Sequence, residues 1–143
     1  MPIIGISLEA TRQYESTHDS AKGTPEATKF ELGTIDSRMF GRIKDMATSI
    51  SIDPNKGAEE MTTNINGNDV AFNTVLYGLR GWTNFNDETG KEIKFKTVKK
   101  FVASTTYKIA DPEVVRLIPD EIIAELAAEI RKSNEVSEVE AKN

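Results

Sequence analysis

The sequence predicts an α+β domain: a small antiparallel sheet with a hairpin and about four helices, with an extended N-terminal arm. Three observations carry this. Short runs alternate apolar and polar residues with period two. Longer runs carry one apolar stripe at helical spacing, with capping residues at their starts. The two kinds follow one another without a repeated strand–helix unit, so a parallel sheet is not expected.

Met1 to Glu9 opens with alternation at Ile4, Ile6 and Leu8, a strand pattern. Arg12 to Lys29 is polar and rich in turn residues (Ser16, Thr17, Ser20, Gly23, Pro25). It reads as a long loop or flexible arm and holds the only histidine, His18. Thr28 to Gly33 alternates again through Phe30 and Leu32. Asp36 or Ser37 then caps a helix over Arg38 to Thr48, lined by Phe40, Ile43 and Ala47. Ser49 to Gly67, broken by Pro54, Gly57 and Gly67, reads as a connection with room for a short strand at Ile50 to Ile52.

The centre, Val75 to Phe95, holds the only tryptophan, Trp82. Before it, Phe72, Leu76 and Leu79 form a helical stripe over Asn68 to Leu79. Gly81 suits the left-handed position that ends a helix. The run NDETG is turn chemistry, and Ile93 and Phe95 alternate with charged residues on a returning strand, which makes a hairpin. Val98 to Ala103 suits strand or helix. Asp111-Pro112-Glu113 starts a short helix ending near Ile118, and Pro119-Asp120-Glu121 starts another. That last helix carries Ile122, Leu126 and Ile130 on one line and ends at Arg131-Lys132-Ser133. The expected layout is an N-terminal strand and arm over 1–35, a core over 36–133 and an acidic tail over 134–143. The expected core is Phe72, Leu76, Leu79, Trp82, Phe85, Ile93, Phe95, Ile122, Leu126 and Ile130.

The chain has 143 residues, 38% hydrophobic and 29% charged, enough for a single core. Without cysteine it has no disulfide, thiolate nucleophile or cysteine-based zinc site. One loop histidine leaves the Ser-His-Asp and His-metal designs with little to build on. No phosphate loop, GxGxxG or other cofactor motif is present, and the NDETG turn lacks EF-hand spacing. No catalytic residue, metal ligand, cofactor or small-molecule substrate is therefore assigned. No run approaches membrane-spanning length, and the N-terminus lacks signal-peptide character.

The net charge of −5 is uneven. Residues 1–110 balance, while residues 111–143 hold nine acidic against four basic residues. Lys91 to Lys108 holds six lysines against Glu92 alone. The candidate interaction residues are therefore Lys91, Lys94, Lys96, Lys99 and Lys100 on one surface, and Glu121, Glu125 and Glu129 on another. The basic patch is small and the chain acidic overall, which favours protein over nucleic acid as its partner.

Three stretches carry a resemblance. Thr28-Lys29-Phe30-Glu31-Leu32 gives T-x-F-x-L. Gly78-Leu79, Gly81-Trp82, Asn84-Phe85, Asp87, Gly90, Ile93 and Phe95 give GL-x-GW-x-NF-x-D-x-x-G-x-x-I-x-F. Ile118-Pro119, Ile123, Glu125-Leu126 and Glu129-Ile130 give IP-x-x-x-I-x-EL-x-x-EI, before an acidic end at Glu140-Ala141-Lys142-Asn143. In this arrangement the chain resembles small acidic structural and assembly proteins of tailed bacteriophages. The matched residues are aromatics, turn glycines and a capped helix, none of them catalytic. The resemblance implies a non-enzymatic protein made in the host cytoplasm. It would be a virion component at the capsid or head–tail neck, or a tail-assembly chaperone. Its partners would be other phage structural proteins and copies of itself.

Overall fold

The computed structural model describes residues 2–3, 7–52, 61–65 and 67–142. The strand expected at the N-terminus rests largely on Ile4 and Ile6, and the middle of the 49–67 connection on residues 53–60. Both lie outside the described residues.

The architecture is α+β, with four helices and three small antiparallel sheets among the described residues. The largest sheet joins β1 (Arg12–Glu15), β2 (Lys29–Leu32) and β5 (Leu79–Thr83) in the order β1-β2-β5. On β2, Phe30 and Leu32 point into the core and Glu31 to solvent, as the alternation predicts. A second pair, β3 (Thr48–Ile52) with β4 (Met61–Ile65), forms a hairpin across the connection. The third pair is β6 (Thr97–Val102) with β7 (Thr105–Ala110), which settles Val98 to Val102 as strand and leaves Ala103 in the turn.

Four helices complete the fold: α1 (Ser37–Ala47), α2 (Gly67–Gly78), α3 (Pro112–Val115) and α4 (Asp120–Lys142). Asp36 caps α1, its Oδ1 accepting from the Met39 amide at 2.8 Å. Asp111 caps α3 in the same way through Glu113 N at 3.0 Å, with Pro112 in the first turn.

The central helix is α2, which packs against α1, α3, α4 and β7. This explains a difference from the expected single stripe. From Thr74 to Gly78 every residue is buried, because neighbours surround that half of the helix. Phe72, in the open half, is only half-buried. Thr74 satisfies its hydroxyl by donating to Val70 O at 2.7 Å, one turn back. Where α2 meets α4, a β-carbon on Gly78 would lie 2.6 Å from Ile130, so only glycine permits this approach. Leu76, Leu79, Trp82, Leu126 and Ile130 are buried as expected. Phe85, Ile93, Phe95 and Ile122 pack half-buried against them.

Three further expectations are corrected. Gly81 does not end a helix: α2 stops at Gly78, and Gly81 lies in β5 opposite Glu31. The stop is made instead by Arg80, whose guanidinium donates to Tyr77 O and, at 2.7 Å, to Thr34 O. Arg80 is free to do so because it is the extra residue of a bulge, with Leu79 opposite Leu32 and Gly81 opposite Glu31. Second, α4 does not end at Ser133 but runs to Lys142. Asn134, read as the first residue of a tail, is buried and clamps the backbone of Ile35. Its Oδ1 accepts from Ile35 N at 3.2 Å and its Nδ2 donates to Ile35 O at 2.6 Å.

Third, Arg12 to Lys29 is not a loose loop, since it begins with β1 and runs into β2, two of the three strands of the main sheet. Its polar residues form its turns. The Asp19 carboxylate accepts from Ala21 N and Thr28 N, both at 2.9 Å, and Glu15 accepts from Gly23 N at 2.9 Å. Asn84 ties this region to the centre, donating to Pro25 O at 3.1 Å and Ala27 O at 3.2 Å.

Candidate protein-interaction surface

Trp82 anchors the central turn. Its Nε1 donates to Ile93 O at 2.7 Å, and its ring meets Phe85 and Phe95 edge-on, each at 4.9 Å. The returning segment is less regular than the expected hairpin. It is held by one bridge, Asn86 to Glu92, and by Ile93 N donating to Phe85 O. At the tip, Asp87 accepts from Thr89 N, Thr89 Oγ1 and Lys91 N, and Gly90 takes φ of +84°. The Thr89 hydroxyl first, and the two amides with it, hold the Asp87 pKa below the ordinary value. This carboxylate is therefore spent on its own turn. Among the described residues no group of three or more His, Asp or Glu side chains could hold a metal ion.

The two expected interaction surfaces have different fates. On α4, Glu125 and Glu129 face the chain's own N-terminal segment. Glu125 accepts from Tyr14 Oη at 2.8 Å, Thr17 N at 2.9 Å, Thr17 Oγ1 at 2.6 Å and the buried Ser16 hydroxyl. Burial opposes ionisation of Glu125. The bonds from Ser16, Thr17 and Tyr14 outweigh it and hold the pKa at about 2. Burial, and then the bond to Glu125, raise the Tyr14 pKa in turn. Glu129 pairs with Arg12 at 2.9 Å and with Lys132 at 3.2 Å, and the Arg12 bond is the main cause of its lowered pKa. Of the three glutamates, only Glu121 is exposed.

The lysines do face solvent. Lys91, Lys94, Lys96, Lys99 and Lys100 are all exposed. Lys99 and Lys100 lie on β6, whose residues are exposed from Thr97 to Phe101. Among the described residues the strand pairs with β7 alone. Ala103 and Ser104, both at positive φ (47° and 69°), close a two-residue turn between them. In such a hairpin the flanking residues, Val102 and Thr105, exchange hydrogen bonds. Bonded pairs then recur at Lys100 with Tyr107 and Val98 with Ile109. Asp111 N donating to Lys96 O at 2.9 Å continues the same phase.

Side chains divide accordingly. Val98, Lys100 and Val102 share the face of Ile109 and Tyr107, which packs on the core; Tyr107 meets Tyr77 edge-on at 5.5 Å and donates to Asp36 at 3.0 Å. Thr97, Lys99 and Phe101 share the outer face with Lys108 and Thr106. Phe101 is 72% exposed. The sequence left Val98 to Ala103 open between strand and helix, and the exposed position of Phe101 became visible only once the pairing with β7 fixed the register.

Behind β7 lies a cavity of about 780 Å³ lined by Tyr77, Arg80, Asp36, Tyr107 and Lys108. Arg80 is committed to two carbonyls there, and burial lowers its pKa. No helix among the described residues is long and apolar enough to cross a membrane. The chain matches no protein-family model, no curated protein and no solved structure.

Proposed function

We propose that this chain is a non-enzymatic assembly protein of a tailed bacteriophage, a capsid-associated or head–tail neck or tail component of the virion that acts through protein–protein contacts. The observation that carries the reading is the β6–β7 hairpin. Among the described residues it offers an outer strand with a free backbone edge, an exposed aromatic and two lysines without an ion pair, features that suit recognition more than stability. The resemblance of Thr28–Leu32, Gly78–Phe95 and Ile118–Ile130 to phage structural proteins supplies the biological setting. A chaperone that leaves before the particle is complete would use the same surface. A host-protein inhibitor working through an acidic face is less well supported, because Glu125 and Glu129 are engaged internally.

The test is mass spectrometry of purified particles from the lysate that contains the chain. A fixed copy number per particle is the expected result, with few to dozens indicating a neck or tail position and hundreds a capsid position. Presence in the lysate and absence from particles would overturn the virion reading in favour of the chaperone.

A further inference from the structure

We infer that β6 takes up an extended acidic segment of another protein as an added strand, with Phe101 as its apolar anchor. The inference rests on the assembly reading above and supplies its mode of recognition.

The backbone provides the first argument. Because Val98, Lys100 and Val102 bond to β7, the N–H and C=O groups of Thr97, Lys99 and Phe101 point to the free edge. Three successive outward positions make a template for a strand of roughly five to seven residues. A two-stranded sheet is also marginal by itself, and a third strand would stabilise it.

Charge selects the occupant. Lysines on an edge strand block self-pairing, because two copies of β6 side by side would bring Lys99 and Lys100 against their own duplicates. An acidic strand meets the opposite situation, with Lys99 and Lys108 on the outer face and Lys100 on the inner one. The acidic C-terminal stretch of this chain does not serve, because it is helical through Lys142. Charge complementarity points to an acidic segment of a different protein. Phe101, flanked on its face by Lys99 and Lys108, would take an apolar side chain placed between acidic ones.

The experiment uses the purified full chain and amide hydrogen exchange read residue by residue. The probe is a capped heptapeptide alternating Glu and Val. The controls are the same peptide with Lys for Glu and a single-stranded oligothymidine. The free chain should show fast exchange at Thr97, Lys99 and Phe101 and slow exchange at Val98, Lys100 and Val102. The Glu peptide should slow the first three by about tenfold or more, and added salt should weaken the effect. F101E should abolish binding while its unfolding temperature stays near that of the parent. Protection of the three amides in the free chain would overturn the inference, as would no change with the Glu peptide or equal protection by the Lys peptide. Stronger protection by the oligothymidine would replace it with a nucleic-acid site. Particle composition does not enter this test, so its failure is separable from failure of the virion reading.

Discussion

Along α4, the carboxylates of Glu125 and Glu129 are matched by Tyr14, Ser16, Thr17, Arg12 and Lys132. Along β6, Lys99 and Lys100 make no ion pair among the described residues, and Phe101 stands in solvent. Both surfaces look alike as sequence, a few like charges spaced along an amphipathic element. The difference is in what lies across from them. The polar N-terminal segment crosses α4 and saturates it, so that this acidic face contributes to folding. Nothing crosses β6. A charged face that the fold has consumed says little about partners, whereas one left open beside an exposed aromatic does.

The largest break in this contrast is on the saturated side. Glu125→Ala should leave Tyr14 and the buried Ser16 without their acceptor and destabilise the chain by about 3 kcal/mol. Chemical denaturation should show it, with proteolysis between Arg12 and Lys29 accelerating at the same time. Asn134→Ala removes both bonds to Ile35 from a buried site and should cost about 2 kcal/mol, although the sequence alone would have placed it in a dispensable tail.

Acid should produce the same loss reversibly. The Glu125 pKa, about 2 in the folded chain, lies below its ordinary value of 4.5. Its contribution is therefore complete above the ordinary value and fades as pH falls from there towards 2. Glu129, also lowered, acts in the same direction. Thermal unfolding measured from pH 7 to pH 3 should show a steep acid limb that Glu125→Gln flattens. An equal slope in the variant would place the acid sensitivity elsewhere.

A smaller effect sharpens the β6 side. Ala103 and Ser104 occupy the two left-handed positions of a tight turn, where Asn and Gly are at ease. Replacing them with Asn-Gly should stabilise the chain by about 0.5–1 kcal/mol. It should leave the edge of β6 unchanged, so any recognition by that strand survives.

How much of this was legible beforehand follows the physics of each feature. The caps at Asp36 and Asp111 and the Leu126–Ile130 stripe are local, and they stand where the sequence puts them. The bulge at Arg80, the Gly78–Ile130 approach and the Asn134 clamp join residues far apart in the chain, and no local pattern encodes them. The N-terminal segment reads as flexible because Ser, Thr and Asp favour turns. The same groups are its anchors once Glu125 is in place across the fold. At the interaction surface, composition reveals the lysines, whereas the free edge and the outward phase of Phe101 depend on which strand pairs with which.

The smallest expected effect separates the two surfaces best. Phe101→Thr removes a large aromatic from a strand, a change that in a core would cost about 3–5 kcal/mol. Here the ring is 72% exposed and threonine suits a strand equally well, so stability should shift by less than about 0.5 kcal/mol. Denaturation of the variant beside Glu125→Ala measures both directly. A loss above about 1 kcal/mol would mean that Phe101 packs on the chain's own surface, and the contrast with α4 would fall. A negligible loss leaves an aromatic residue with no part in the fold, beside the two lysines that guard this strand edge against its own copies.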